Sequence, residues 1–349
     1  MSSPIKIALL LIWASTPLIA GKETQIISNY SPFYADGEYH FQNVIIIRSF
    51  EQNKDYYFIS VDPRTLQTEI IPQKSIRITP ETWTDLLKKY ASTPYIKALQ
   101  RVKENPSPLQ DAGFIHGFPE EKGATLTIDL CPSKKPLDRI IFKELIQELS
   151  KKERPVPVAI SITGKFLQKH QSDILWLKTL IKSGDISITW INHTYNHHYN
   201  KKASLANNFL LIPGTNISKE ILDTEKALLN QGILFSDFFR FPGLISSPRL
   251  ISQVTDFGLI PIGTDAWLAK GDKIKQGSIV LIHGNGNEPL GIKAFTKLLQ
   301  EEAPNVTQGN WLLYDLQETI KRSVDDTGII DTTRADRYIF PTQFDFRNP

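Results

Sequence analysis

The sequence has little cysteine, little net charge and, after its first 21 residues, no apolar run long enough to cross a membrane. Its single cysteine, Cys131, excludes an intrachain disulfide. A formal net charge of +3, with acidic and basic residues interspersed, gives no basic run of the kind that binds nucleic acid, so no nucleic-acid partner is expected. Because 41% of the residues are apolar, the chain is expected to fold around one large core or two modest cores.

Residues 1–21 have the pattern of an export signal. Lys6 precedes the apolar run Ile7–Trp13, and small residues follow at Ala20 and Gly21. The run is too short to span a bilayer. We therefore predict a signal peptide over residues 1–21, export to the periplasm or out of the cell, and no transmembrane segment beyond the signal.

Residues 22–110 are predicted to form a small α+β module. Thr79 and Pro80 have the features of a helix start, and an amphipathic pattern continues from them to about Val102. The proline-containing segment 104–109 indicates a linker. No group of residues in this region suggests chemistry. Two strands are predicted in it, at 42–48 and 56–61.

From residue 111 to residue 349, strand patterns alternate with helix patterns. Strands that alternate with helices of this length pair in parallel through right-handed crossovers, and about seven such units favour a distorted (β/α) barrel over an open sheet. The predicted strands are 125–130, 156–162, 186–191, 235–239, 259–262, 278–282 and 311–314. The predicted helices are 137–151, 172–182, 218–231, 247–256 and 291–301.

Three of the seven histidines fall in one short window after the predicted strand 186–191. His193 and His197 are four residues apart, and two imidazoles at the carboxyl end of a strand can hold one divalent metal ion. His198 is set aside, because adjacent side chains cannot both point into one small site. A polar loop with surface histidines is the simpler interpretation if this pair stands alone.

The pair does not stand alone, because polar residues also follow the other predicted strands. In a barrel, the carboxyl ends of all strands meet at one mouth, where chemistry concentrates. The polar and aromatic residues that join the histidine pair are Asp129, Arg240, Asp265, Trp267 and His283. Metal-assisted hydrolysis needs groups of these types at one mouth: carboxylates, an arginine, two metal-spaced imidazoles and a separate histidine.

The order and type of these motifs resemble the polysaccharide deacetylase family, the NodB-homology carbohydrate esterases, over about residues 120–320. The family hydrolyses N- or O-acetyl groups of sugars on a distorted (β/α) barrel. The resemblance implies a divalent metal, usually zinc, on His193 and His197. It also implies that Asp129 is the general base and that Arg240 orients it.

The same resemblance assigns the acid side of the reaction. It implies that His283 is the catalytic acid, and that Asp265 and Trp267 orient and pack it. Trp267 and Tyr195, both on loops, are also predicted to stack on sugar rings. Gly284 and Asn285 follow His283 in a glycine-rich run, where backbone can approach a substrate.

The first motif departs from the family pattern. Leu130 stands where the family has a second, metal-binding aspartate, and Cys131 replaces the glycine that follows. Three alternatives remain: Asp129 completes the metal site, or Asp129 stays the base while two histidines hold the ion, or no metal binds tightly. Cys131 is either a soft ligand or a small buried filler, and we expect the filler.

The sequence therefore predicts a hydrolase that removes acetyl groups from an N- or O-acetylated sugar polymer. Two alternatives remain. Leu130 favours the first, a glycan-binding barrel with a degenerate metal site and no deacetylase activity. The second is a metal-poor hydrolase of another carbon–nitrogen bond.

Overall fold

The computed structural model describes residues 27–106, 109–117 and 122–325, so the predicted signal peptide lies outside the described residues. The first described strands are β1 (Ile27–Tyr39), β2 (Gln42–Gln52), β3 (Asp55–Val61), β4 (Thr68–Pro72) and β5 (Arg77–Pro80). They form an antiparallel sheet in the order β4-β3-β2-β1-β5. The two strands predicted in this module are β2 and β3.

Two short helices follow the sheet: α1 (Trp83–Lys89) and α2 (Pro94–Glu104). The prediction of one helix that starts at Thr79 and Pro80 was wrong, because both residues pair with β1 as part of β5. Thr82 caps α1 instead, since its side chain accepts a hydrogen bond from the Asp85 amide.

The rest of the described chain is built on a parallel sheet with the strands β6 (Gly123–Leu130), β7 (Val156–Ile162), β8 (Ile186–Asn192), β9 (Phe238–Phe239), β10 (Ile260–Pro261), β11 (Ala266–Trp267), β12 (Ile279–His283) and β13 (Leu312–Leu313). Their order is β10-β9-β8-β7-β6-β12-β11, with β13 paired to β6. Helices separate most consecutive strands, whereas only a short loop joins β10 to β11. The predicted fold class, a distorted (β/α) barrel after a small α+β module, is confirmed.

Seven helices of the described residues belong to this barrel, and five of them fall where the periodicity predicts helices. They are α3 (Ile140–Leu149), α4 (Gly164–Lys169), α5 (Gln171–Lys182), α6 (Ile217–Asn230), α7 (Pro248–Asp256), α8 (Pro289–Gln308) and α9 (Leu316–Asp325). Asn216 and Ser247 cap α6 and α7 through their side-chain oxygens. None of the helices in the described part of the chain has the length and apolar character of a membrane span.

The segment 109–117 runs along the barrel between β10 and β12. Phe114 makes a parallel bridge to Ile262, and His116 makes an antiparallel bridge to Ser278. Gly113 is needed for this close approach, because a Cβ there would lie 1.9 Å from the Pro261 carbonyl oxygen. The segment therefore packs on the barrel on both sides of the domain boundary predicted between residues 110 and 111. The position of that boundary stays a prediction.

A buried ion pair joins the N-terminal module to the barrel. Arg48 on β2 donates to both carboxylate oxygens of Glu225 on α6, at 2.7 and 2.9 Å, and both side chains are fully buried. Tyr30 adds a hydrogen bond of 2.6 Å to the same carboxylate, and Arg48 also donates to the Phe257 carbonyl. One apolar core continues from the module into the barrel. The module therefore braces the barrel.

Candidate active site

The parallel register brings the predicted site residues to one end of the sheet. Asp129 at the end of β6 is the direct neighbour of His283 on β12 and of Ser161 on β7. Asn192, which precedes His193, pairs with Phe239, which precedes Arg240. The carboxyl ends of these five strands therefore meet at the mouth of the barrel, as the sequence pattern predicts.

Leu130 does not face this mouth. It is fully buried, and a Cβ added at Gly284 would lie 3.0 Å from its Cδ2 atom and 3.6 Å from Leu137, so it packs in the helix-facing layer. Since side chains alternate along a strand, Asp129 and Cys131 lie on the opposite face, toward the mouth.

Cys131, His193 and His197 form a compact group of metal-type donors. One ligand atom from each lies within 4.8 Å of the other two, and Cys131 Sγ is 3.6 Å from His193 Nε2. Cys131 is 6% exposed, so it is buried as expected. Its side chain also contacts a site imidazole, so both interpretations of this cysteine, soft ligand and buried filler, remain open.

The two imidazoles are presented to this group in different ways. His193 Nδ1 lies 2.8 Å from the Arg240 carbonyl oxygen and must donate to it, which leaves Nε2 directed at the cluster. His197 Nε2 is buried and has no hydrogen-bond partner among the described residues. The rings of His193 and His197 are 4.9 Å apart, whereas His198 is exposed. His193 and His197, the pair chosen from the sequence spacing, therefore lie together, and their role as metal ligands stays a prediction.

The loop that carries the histidines is strained and firmly anchored. Thr194 has a φ angle of +69°, which β-branched residues avoid, and His197 has a φ of +50°, which histidine tolerates better. Glu220 at the start of α6, 5% exposed, accepts hydrogen bonds from the Tyr195 and Asn196 amides at 2.9 and 2.8 Å. Such strain costs on the order of 1–3 kcal/mol per residue and persists only where the surroundings fix it.

Asp129 lies between the cluster and a buried arginine. Its Oδ2 atom is 3.7 Å from His193 Nε2, and its Oδ1 atom is 3.9 Å from Arg240 Nη1. Burial would raise the pKa of this carboxyl group, but the charges of Arg240 and His193 outweigh burial and hold the pKa below its usual value. Asp129 is therefore ionised, and Arg240 stands beside it as predicted.

The electrostatics of the cluster favour a positive charge at His193 Nε2. Burial would lower the pKa of His193, but Asp129 and Cys131 raise it further than burial lowers it. Burial alone would raise the pKa of the Cys131 thiol. The charges of His197 and His283 outweigh burial and hold this pKa well below its ordinary value. Two anionic groups flanking one imidazole attract a cation, whether a proton or a metal ion.

On the other side of the mouth, His283 is paired with Glu288. His283 Nδ1 lies 2.8 Å from Glu288 Oε2, an ion-pair distance, and Trp267 Nε1 donates to the same oxygen at 2.7 Å. The Trp267 and His283 rings are 5.9 Å apart, so the predicted packing is present. Burial opposes protonation of His283, but Cys131 and Glu288 raise its pKa well above the usual value.

The role predicted for Asp265 has to be corrected. Asp265, 8% exposed, lies with Oδ2 at 3.0 Å from His116 Nδ1, and the ion-pair partner of His283 is Glu288. His116 comes from the segment 109–117 beside the barrel, which the sequence pattern did not place there. Glu288 takes the orienting role that Asp265 was expected to have.

Three of the predicted substrate contacts are also corrected. Gly284 donates its amide to Asp129 and accepts at its carbonyl from Asp138, so its polar backbone atoms are used internally. Asn285 is fully buried and donates to the Cys131 carbonyl at 2.5 Å. Trp267 is only 6% exposed, and the Lys270 ammonium covers one face of its ring at 3.7 Å. These residues build the site and leave little surface for a sugar.

Tyr195 is the predicted substrate contact that keeps access to solvent. It is half-buried, and its ring lies against Gly164 at the start of α4, where a Cβ would approach to 2.0 Å. A glycine at this position lets the aromatic ring lie close to the backbone.

A further buried carboxyl group interacts electrostatically with Arg240. Asp111, on the segment beside the barrel, has a φ of +58°. Burial raises the pKa of its carboxyl group to about 6, although Lys270 and Arg240 lower it. No sequence feature pointed to Asp111, since its neighbours come from distant parts of the chain.

The fold and the mouth together define a (β/α)-barrel protein with a Cys-His-His cluster. Residues 28–96 match the family model described as the RP012 protein N-terminal domain. This match lies within the N-terminal module.

Several solved structures are similar to this chain at low identity. A family 4 carbohydrate esterase from Bacillus anthracis is 19% identical, with 65% of this chain and 92% of that chain covered and a TM-score of 0.46. A CE4 family pseudoenzyme from Bacillus anthracis is 16% identical, with 62% and 70% covered and a TM-score of 0.42. A family 4 esterase from Streptomyces lividans, in complex with acetate, is 16% identical, with 57% and 95% covered and a TM-score of 0.40.

Proposed function

We propose that the protein is a hydrolase that removes acetyl groups from an N- or O-acetylated sugar polymer by attack of water at the barrel mouth. The observation that carries this proposal is the position of Asp129. Its ionised carboxylate lies 3.7 Å from His193 in the donor cluster and is the direct strand neighbour of His283. An ionised carboxylate, a metal-type cluster and a second imidazole are therefore neighbours, which supports the roles of base, metal site and acid.

The residues of the cluster fit a divalent metal ion. The buried Nε2 of His197 has no hydrogen-bond partner among the described residues, and imidazole nitrogens are preferred zinc ligands. His193 offers Nε2, because its other nitrogen is held by the Arg240 carbonyl. A bound zinc ion would polarise the acetyl carbonyl and lower the pKa of the attacking water.

The remaining steps belong to the protein's own side chains. Asp129 takes a proton from the attacking water, and Arg240 keeps its carboxylate ionised. His283 gives a proton to the departing nitrogen or oxygen of the sugar. Glu288 stabilises the charged His283 imidazole, and Trp267 holds Glu288 in place through its indole N–H.

Two observations support a sugar as the substrate: the motifs resemble those of polysaccharide deacetylases, and one side of the mouth is open to solvent. Tyr195 is half-buried beside the histidine loop and offers an aromatic ring to a sugar. The signal peptide predicted at residues 1–21 would bring the enzyme to a polymer outside the cytoplasm, in the periplasm or beyond the cell.

A second candidate function follows from the thiol at the centre of the mouth. Cys131 and His283 interact closely enough to shift each other's pKa, and Glu288 pairs with His283. A cysteine, a histidine and a carboxylate in this order suit a thiol hydrolase of a carbon–nitrogen bond. Sulfur would attack the carbonyl carbon, His283 would protonate the departing nitrogen, and water would then cleave the thioester.

Acetate release from chitooligosaccharides tests the proposal. The zinc-loaded full chain should release acetate, and Asp129→Asn should lower the rate by about 10²- to 10⁴-fold, the usual contribution of a general base. Asp55→Asn, the same chemical change on an exposed residue of the module, should behave as wild type.

The other outcomes separate the alternatives. Chitooligosaccharide binding without acetate release would make the protein a glycan-binding barrel. Acetate release that survives metal removal and is abolished by alkylation of Cys131 would support the thiol hydrolase.

A further inference from the structure

We propose that Cys131 is the third protein ligand of the metal ion, so that a thiolate stands in place of a carboxylate in a Cys-His-His site. This inference rests on the proposed function, because it concerns the ion that assists hydrolysis there. The cluster consists of Cys131, His193 and His197, whose donor atoms all lie within 4.8 Å of one another.

The strand geometry explains why the ligand is Cys131 and why it cannot be Leu130. Side chains alternate across β6, and Leu130 packs among Ile128, Leu137 and Gly284 on the helix-facing side. Cys131 is on the side of the histidines, with Sγ 3.6 Å from His193 Nε2. The metal-type donor therefore lies one residue beyond the position at which the motif resemblance implies an aspartate.

The distance between the donor atoms fits tetrahedral zinc. Zinc binds sulfur at about 2.3 Å and imidazole nitrogen at about 2.0–2.1 Å, so a tetrahedral angle separates the two donors by about 3.6 Å. Cys131 Sγ and His193 Nε2 are 3.6 Å apart. This pair needs no rearrangement to bind one ion.

The surroundings hold both donors in this geometry. Asn285, fully buried, donates to the Cys131 carbonyl at 2.5 Å and fixes the backbone that carries the thiol. The Arg240 carbonyl fixes the His193 ring at 2.8 Å. Such contacts behind the ligands orient them and are a common property of metal sites.

The donor set has a chemical consequence. A thiolate with two imidazoles favours zinc or cobalt over magnesium, calcium and manganese, which prefer oxygen ligands. Three protein ligands leave a fourth position for water or substrate, as in catalytic zinc sites. Asp129, no longer needed as a ligand, is left to act as the base.

Cobalt binding to the full chain tests the assignment, because a thiolate bound to Co²⁺ gives a near-ultraviolet charge-transfer band. Wild-type protein should bind one Co²⁺ per chain with this band. Cys131→Ser should lose the band and bind Co²⁺ at least about tenfold more weakly, as expected when a metal-site contact is removed. Cys131→Asp should bind Co²⁺ without the band, since it restores a carboxylate. Leu130→Asp should leave the band in place.

Zinc X-ray absorption of the wild-type chain gives the same answer without a variant. One sulfur neighbour at about 2.3 Å is expected. Binding of Co²⁺ or zinc without a sulfur signal would overturn the ligand assignment and leave the proposed function standing. Failure of the wild-type chain to bind either metal would overturn the ligand assignment and the metal-assisted mechanism together.

Discussion

Asp129 and Cys131 approach the same atom, His193 Nε2, from one face of strand β6. The carboxylate Oδ2 lies at 3.7 Å and the thiol Sγ at 3.6 Å, while Leu130 between them faces the helix layer. The alternation of side chains along a strand thus puts a carboxylate and a thiol side by side. It also gives a physical reason why a leucine is tolerated between them.

Glu288, rather than Asp265, is expected to support the acid His283. Glu288→Gln removes the charge that stabilises protonated His283, so kcat should fall by about 10- to 100-fold while KM changes little. Asp265→Asn is the matched control, because it makes the same change in a carboxylate that lies beside His116. Steady-state acetate release measures both. A larger loss of kcat in Asp265→Asn would restore the role first predicted for that residue.

The Arg48–Glu225 ion pair, which joins the N-terminal module to the barrel, is expected to contribute strongly to the free energy of unfolding. Arg48→Met leaves the Glu225 carboxylate buried without its cation, which should lower the free energy of unfolding by about 3–5 kcal/mol. The double variant with Glu225→Gln should recover part of that loss, because the uncompensated charge is gone. Urea unfolding measures all three proteins.

An exposed ion pair in the same module supplies the control for that experiment. Arg77 and Glu38 are 2.7 Å apart, but 81% and 41% of their side-chain surfaces are exposed. Arg77→Met should therefore change the free energy of unfolding by less than about 1 kcal/mol. Equal losses in Arg48→Met and Arg77→Met would contradict the importance given to burial.

Asp111 is expected to make the protein less stable as the pH rises. Its folded pKa of about 6 exceeds the ordinary value of 3.8, so the folded state holds a proton that the unfolded chain releases between these two values. Stability is then lost as the pH rises through this window, by up to about 3 kcal/mol above it. Asp111→Asn should remove this loss.

Urea unfolding at two pH values checks the prediction for Asp111. At about pH 7.5 the Asn variant should be more stable by up to about 3 kcal/mol, and at about pH 4.5 by only about 1 kcal/mol. Asn accepts the φ of +58° at this position, so the backbone is kept. A gain of the same size at both pH values would show that ionisation of Asp111 is not its cause.

The fold was largely readable from the sequence, because hydrophobic periodicity and strand–helix alternation are local signals. Val156–Ile162 and Ile186–Asn192 are strands close to where the pattern predicts them. The helix start at Thr79 and Pro80 failed, because pairing with β1 decides that segment and a local pattern does not contain it.

The sequence could predict which residues meet at the site only where they lie at the carboxyl end of a strand. The parallel register brings four such residues together: Asp129, His193, His197 and Arg240. Contacts such as that between His116 and Asp265 join residues far apart in sequence, and their loops have no periodicity to reveal them. Cys131 could have been found, since it lies two residues after Asp129 and strand alternation puts both on one face.

The most direct test of metal-assisted deacetylation is acetate release measured on preparations of the full chain that contain increasing amounts of zinc. This mechanism predicts that the metal-free chain is inactive toward chitooligosaccharides and that acetate release rises in proportion to bound zinc up to one ion per chain. Full acetate release by the metal-free chain, or none by the chain loaded with one zinc ion, would contradict it.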